Sequence, residues 1–434
     1  MRDEWRNQII EGDSFAVLDE LPEASVHAVV TDPPYGLAFM GRDWDDFEPK
    51  EYQEWCERWA SDVRRVLKPG GHLLAFSGNR THHRLFTGVE DAGFEIRDTL
   101  TWHYGSGFPK ASDVSKTIDK RADAERVDLG PNPNAVGRSY NKTGGDYNDD
   151  HKENRAEQDR ITKPPTDAAK KWDGWKTGLK PATEFVVMAR KPFDGATVDS
   201  VLEHGTGALN IDACRVDNVP ESEAWEGDDG FSECDGKALE GSQSGELNTQ
   251  NSGLSTDGRY PANVVFDETA AAALDREVGE SKGSPESWSR GDTEEYGNDF
   301  HPREANEDFT GYGDSGGPSR YFYTSKASRS ERTENGAIDN DHPTVKPIDL
   351  MEWLIKLVTR EGQTVLDPFA GSGTTCKAAK GLGRQFLGIE QQPRYADIAR
   401  VRCGLTPDDP AVVRSDDAQQ GFEAYTDGGD SSAE

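Results

Sequence analysis

The 434-residue chain carries 81 acidic against 49 basic residues, a net charge of −32. That length suits a sizeable core spread over up to about three average domains and excludes a disulfide-stapled mini-protein. Its apolar runs, such as Phe185-Val-Val-Met-Ala189, fall short of the roughly 18 residues a membrane span needs. MRDEWRNQ, at the start, is charged from residue 2 and lacks a secretory core, so a cytoplasmic protein is expected. Leu, Ile, Val and Phe total 76 residues, few enough at this charge to suggest disorder if evenly spread. They are not: 25 fall within 1–110 and 17 within 341–405, but 12 within 217–318. Two apolar blocks thus flank a polar middle. Five scattered cysteines without CxxC spacing read as free thiols. The acidity has two readings, adaptation to a salt-rich cytoplasm and mere avoidance of nucleic acid; its spread through folded-looking segments favours the first.

In chain order, Ile9–Asp13 reads as a short strand ending at a turn, with a helical stretch behind it to Leu21. Val26–Val30 is a second strand, apolar nearly throughout, as expected when helices cover both faces. It runs straight into Thr31-Asp-Pro-Pro-Tyr-Gly36. Trp55, Trp59, Val63 and Val66 give residues 51–67 helical spacing, which Lys68-Pro-Gly-Gly71 stops. Leu73–Phe76 is the next strand, 84–91 a helix and Phe94–Tyr104 another strand. This alternation predicts an α/β fold with a parallel, doubly wound sheet. Residues 105–180 read as a long loop with a helical piece near 112–125, and Glu184–Arg190 as a strand. Residues 217–258, with eleven acids and one base, read as disordered or loosely held. The second apolar block opens with His342-Pro-Thr-Val-Lys-Pro347 and an amphipathic helix over 348–359. A strand at 363–368, a helix opening at Gly371-Ser-Gly-Thr-Thr375 and a strand at 385–390 follow. The last thirty residues, with eight acids and one arginine, read as a tail.

Two motifs carry chemistry. In Val365-Leu-Asp-Pro-Phe-Ala-Gly-Ser-Gly-Thr-Thr375 a strand enters a Gly-rich turn and a helix, and Glu390 ends the next strand. Glycines admit a ligand close to the backbone, while the later acid can accept from ribose hydroxyls. A bare Gly-x-Gly is also an ordinary turn; the strand, Asp367 and Glu390 around it favour nucleotide binding. Asp32-Pro-Pro-Tyr35 sits at the carboxyl edge of a buried strand. Its prolines remove two N–H donors, leaving a carboxylate and carbonyls that suit the donors of an exocyclic amino group. Tyr35 offers a face for stacking a planar base. The bland reading is a Pro-Pro turn with a capping aspartate.

Together these motifs resemble the amino DNA methyltransferases that act on N6 of adenine or N4 of cytosine. Asp32-Pro-Pro-Tyr35 is similar to their catalytic motif and Asp367-Pro-Phe-Ala-Gly-Ser-Gly373 to their S-adenosylmethionine motif. Catalytic before cofactor motif is the permuted order of the beta group. Phe386–Glu390, Tyr395–Ala399 and the segments at 105–110, 179–184, 204–211 and 321–323 also resemble members, the last four phage and prophage ones. The resemblance implies a Rossmann-like sheet, circularly permuted, with an inserted target-recognition region. It implies catalysis by Asp32, Pro33, Pro34 and Tyr35, with the amine hydrogens accepted at Asp32 and the Pro33 carbonyl. The lone pair then faces the sulfonium methyl, and transfer is direct. It assigns S-adenosyl-L-methionine to Asp367, Phe369, Gly371, Ser372, Gly373, Thr374 and Glu390, and its methionine end to His342, Thr344 and Lys346. Asp13 sits where members bind the cofactor's adenine and reads equally as an ordinary turn aspartate. No cysteine follows a proline, so the nucleophile of the five-carbon enzymes is missing. The leading Asp32 favours adenine N6; cytosine N4, or a non-catalytic DNA-binding relative, is the alternative.

The partner implied is double-stranded DNA with its target base flipped out. Residues 152–191 hold ten Lys/Arg against six Asp/Glu, and Lys170, Lys171, Trp172, Trp175, Lys176 and Lys180 are the candidate DNA contacts; a merely solvated loop is the competing reading. His82, His83 and His204 have nothing at ligand spacing, so no metal site is expected. The organisation expected is a catalytic half (1–104), a basic DNA-contacting loop region (105–180) and a closing strand that begins the recognition region (181–215). An acidic, partly disordered recognition insert (216–320), a cofactor-binding half (321–404) and an acidic tail (405–434) follow. A cognate restriction endonuclease, and a monomer or homodimer, are compatible with this reading.

Overall fold

A computed structural model describes residues 5–37, 45, 47–105, 107, 111–131, 160–216, 258–282, 288–289, 308–309, 315–325 and 329–413. The acidic stretch 217–257 and the tail from 414 lie outside the described residues. The chain forms two compact units, one of residues 1–105 with 183–434 and the other of residues 106–182.

The first unit is built from β1 (Gln8–Glu11), α1 (Ser14–Glu20), β2 (Val26–Thr31), α2 (Pro49–Val66), β3 (Leu67–Ser77), α3 (His82–Asp91) and β4 (Glu95–His103). The second contains α4 (Val114–Arg121), β5 (Val127–Pro131), β6 (Arg160–Lys163) and α5 (Asp167–Lys171), with β5 and β6 paired antiparallel. Residues 105–180, expected as a long loop with a helical piece near 112–125, hold that helix as α4 and, among the described residues, a second helix and a hairpin besides. Local polar bonds explain this: Asp113 and Thr166 cap α4 and α5, and Arg126 ties the buried Asp119 of α4 to Thr162 of β6.

The first unit resumes with β7 (Thr183–Arg190), α6 (Thr197–His204), β8 (Val264–Asp267), α7 (Glu268–Val278), β9 (Tyr323–Ser325), α8 (Ile348–Val358), β10 (Thr364–Asp367), α9 (Thr374–Gly381), β11 (Gln385–Glu390) and α10 (Pro393–Arg402). Among the described residues, one nine-stranded sheet runs β1-β11-β10-β2-β3-β7-β4-β8-β9. It is mixed rather than parallel: β7 lies antiparallel to both β3 and β4. A continuous apolar run reads the same in either direction, so the strand pattern of residues 184–190 carried no sign of its reversal.

Successive residues of the central strands serve two cores. Ala28, Val30, Leu74, Phe76, Val186 and Met188 face α8, α9 and α10, whereas Val29, Leu73, Ala75, Val187 and Ala189 face α1, α2 and α3. Helices thus cover both faces, which is the doubly wound arrangement. In α2, Tyr52, Cys56, Trp59, Ala60, Val63 and Val66 recur at helical spacing and are all buried; Pro49 opens the helix, and Glu51 accepts from the Glu48 N–H. Cys56, Cys214, Cys376 and Cys403 are free and buried. Among the described residues, no helix is long and apolar enough to cross a membrane.

Candidate active site

β2 and β10 are adjacent parallel strands, pairing Ala28 with Val365 and Val29 with Leu366, so the two sequence motifs emerge side by side at the same sheet edge. The Thr31 hydroxyl donates to Asp367 Oδ1 at 2.7 Å. Asp367 is buried and also accepts from the Phe369 N–H at 3.1 Å. Burial pushes its carboxyl up to about 6, against the hydrogen bonds from Thr375 and Thr31. Ser14, at the start of α1, donates to the Pro368 carbonyl at 2.5 Å.

The turn after β10 needs its glycines. Gly371 has φ +52°, and a Cβ there would stand 2.9 Å from His342 Nε2; Gly373 has φ +80°, and its Cβ would meet Ala399 at 2.7 Å. The Gly371 N–H donates to Glu390 Oε2 at 2.8 Å, and the Gln392 N–H to Oε1 at 2.8 Å. Burial raises the Glu390 carboxyl to about 7. Ser372 and Thr374 turn to the buried Arg402, which donates to both hydroxyls at 3.0 Å and to the Ser372 carbonyl at 2.7 Å. Arg402 and Lys377 both bind Glu334. This network, invisible as a motif, holds the turn from behind. Phe369 packs on Trp55 and Trp59 of α2, with ring centroids 5.4 and 5.6 Å away.

Asp32 and Tyr35 sit just beyond β2. Tyr35 Oη lies 2.7 Å from Asp32 Oδ1 and 3.0 Å from Glu184 Oε2, at the start of β7. Lys346 Nζ lies 2.5 Å from Asp32 Oδ2, 3.3 Å from Glu184 Oε2 and 3.3 Å from Tyr35 Oη. Burial and the two carboxylates hold the Tyr35 phenol well above its ordinary value, so it stays protonated. Burial alone would lower the Lys346 ammonium, but Asp32 and Glu184 outweigh it and raise it. The Pro34 carbonyl already accepts from Tyr52 Oη at 2.9 Å. Asp45 accepts from the Gly36 and Leu37 N–H groups at 2.6 and 3.1 Å, which fixes the turn after Tyr35.

His342 is packed edge-on against Tyr395, 4.6 Å between centroids, and burial lowers its imidazole to about 4. Thr344 is exposed, its N–H 3.4 Å from His342 Nδ1. Asp13 caps α1, accepting from the Phe15 and Ala16 N–H groups at 3.1 Å each. In the second unit, Trp172 and Trp175 are exposed and meet edge to face at 5.1 Å; Lys170 and Lys176 pair with Asp167 and Asp113. Lys171 and Lys180 are exposed. Among the described residues, no group of three or more His, Cys, Asp or Glu could hold a metal ion.

Sequence reading missed Glu184, although its segment was among those with a resemblance. Thr31, Tyr52, Asp45 and Arg402 were missed too: Thr31 and Arg402 act through distant partners, and Tyr52 and Asp45 reach the Asp32–Tyr35 turn from outside the motif. A carboxylate cluster with a stacking ring at one strand end, beside a Gly-rich turn with an acid behind it, can hold an amino-bearing base next to a nucleotide-like cofactor.

The N6/N4 DNA methylase family model matches residues 26–401. The chain is 24% identical over 437 residues to the Type II methyltransferase M.HindIII of Haemophilus influenzae, covering 92% of this chain and 95% of that protein. Over 61 residues, 14% of this chain and 23% of the relative, it is 54% identical to M2.DpnII, a Type II methyltransferase of Streptococcus pneumoniae. The PvuII cytosine-N4-specific DNA methyltransferase structure aligns at 15% identity with a TM-score of 0.42, over 96% of this chain and 89% of that one. The protein belongs to the N6-adenine/N4-cytosine family of DNA methyltransferases.

Proposed function

We propose that the protein transfers a methyl group from S-adenosylmethionine to N6 of adenine in a specific duplex sequence, with the base flipped onto Tyr35. The observation that carries this reading is the adjacency of Asp32 and the Gly-rich turn, joined through the 2.7 Å bond from Thr31 to Asp367. Asp32 accepts from the target amine, and Asp32 Oδ2 keeps a second lone pair for it. The Gly371–Thr374 turn and Glu390 hold the cofactor, whose sulfonium supplies the methyl group. His342 packs against the turn and keeps its shape. No covalent enzyme intermediate is needed; positioning and electrostatics do the work. An aspartate at position 32 favours adenine over cytosine.

The catalytic strand precedes the cofactor strand in the chain, as in a circularly permuted methyltransferase. Residues 216–320 serve as the inserted recognition region, and the exposed Trp172 and Trp175 with their neighbouring lysines contact DNA. The likeness to two Type II methyltransferases supports a restriction–modification role. The net charge of −32 supports a salt-adapted source. The test is incubation with tritiated S-adenosylmethionine and mixed-sequence duplex DNA, followed by nucleoside mass spectrometry. N6-methyladenine is expected; N4-methylcytosine would reassign the base, and unlabelled DNA would refute the activity.

A further inference from the structure

We propose that Glu184 takes up the proton the target amine must lose, receiving it from Asp32 through the Tyr35 hydroxyl. This rests on the methyl-transfer reading above and adds a residue to it. Three observations carry it. First, one phenol oxygen stands within hydrogen-bond distance of two carboxylates, 2.7 Å from Asp32 and 3.0 Å from Glu184, yet it has a single proton to give. A proton arriving on Asp32 completes the chain. Second, the cluster holds two carboxylates against the one ammonium of Lys346, so it carries a formal surplus of one negative charge and becomes neutral on gaining one proton. Third, the Glu184 side chain keeps about a fifth of its exposure, whereas Lys346 keeps 7%. With a base seated on Asp32, the way out that avoids the base runs across Tyr35 to Glu184.

The step balances. The amine lone pair forms the N–CH3 bond as the S–CH3 bond breaks, the bonding pair staying on sulfur and the positive charge passing to nitrogen. Asp32 accepts an N–H proton. It hands a proton to the Tyr35 oxygen as the phenol gives its own to Glu184 Oε2, and Glu184 releases it to water. Tyr35 is a neutral phenol before and after, as its raised ionisation requires.

The test compares Glu184→Gln, Tyr35→Phe and the double variant in steady-state methyl transfer to duplex DNA. Glu184→Gln is expected to lower kcat at least tenfold, leaving KM for S-adenosylmethionine and for DNA within about twofold. In the Tyr35→Phe background, where the ring remains but the relay is cut, the same change should cost less than about twofold. Glu184→Asp should recover most of the rate and Glu184→Asn should not, a second pair that does not depend on the first variant's fold. The proposal is overturned by a Glu184→Gln kcat within twofold of wild type, by a loss that appears in KM, or by a full loss repeated without the Tyr35 hydroxyl. A wild-type protein that transfers no methyl group overturns both readings; normal wild-type turnover with a fast Glu184→Gln variant overturns this one alone.

Discussion

Thr31 and Asp367, 336 positions apart in the chain, are joined by a 2.7 Å hydrogen bond across the seam between β2 and β10. It is where the two motifs meet: Thr31 precedes Asp32, and Asp367 precedes the Gly-rich turn. Removing the hydroxyl while keeping the shape, as in Thr31→Val, leaves a buried carboxylate short of a donor, which costs about 1–3 kcal/mol. The Asp367 carboxyl titrates near 6 folded against 3.8 unfolded, so the folded state holds its proton more tightly. Its contribution to stability is present below 3.8 and lost as pH rises through 6. Thr31→Val should therefore cost more at pH 8, where the carboxylate is ionised, than at pH 5. Urea unfolding at the two pH values measures the difference, and equal losses would contradict it.

Gly371→Ala and Asp32→Ala should separate the two halves of the site. At φ +52° a side chain costs about 1–2 kcal/mol in strain, and the added Cβ would press on His342 Nε2. That variant is expected to lose cofactor binding by more than tenfold. Asp32→Ala is expected to bind cofactor within about threefold of wild type and to lose methyl transfer by more than a hundredfold. Equilibrium dialysis with labelled S-adenosylmethionine, paired with a transfer assay, reads both. Equal cofactor loss in the two variants would refute the division.

Cofactor affinity should rise with pH through about 7, where burial has moved the Glu390 carboxyl. In the proposed role, the ionised form would accept from ribose hydroxyls, and protonation would remove one acceptor. Below 7, affinity is expected to fall by up to about tenfold per pH unit, and Glu390→Gln should be weaker and flat over that range. Isothermal titration calorimetry from pH 5.5 to 8.5 measures this; an unchanged slope in the variant would assign the pH dependence elsewhere.

Raising KCl towards molar levels should increase both fold and activity. With −32 charges, self-repulsion is strong when the Debye length is about 10 Å at 0.1 M and weak when it is about 3 Å at 1 M. Phosphate contacts act in the opposite direction, lowering DNA affinity as salt rises. Methyl transfer and circular dichroism from 0.1 to about 3 M KCl decide which effect wins. An activity maximum at the lowest salt with a constant fold would mean that the acidity serves another purpose.

Residues close together in the chain were enough to determine much of this protein. Asp32-Pro-Pro-Tyr35 and Asp367–Gly373 are each a strand running into a turn, and strand, turn and helix formation depend on neighbours, so both motifs and the strand–helix alternation around them are legible without coordinates. Tertiary structure alone decided that β7 enters the sheet reversed, because a continuous apolar run looks the same in either direction. That reversal sets Glu184 at the edge where β2 ends, while the segment before α8 brings Lys346 onto Asp32 from 314 residues away. Arg402 likewise reaches Ser372 and Thr374 only because α10 packs behind the turn. A charge cluster assembled from separate strands leaves no spacing in the sequence to read; the contacts exist only once the sheet is ordered.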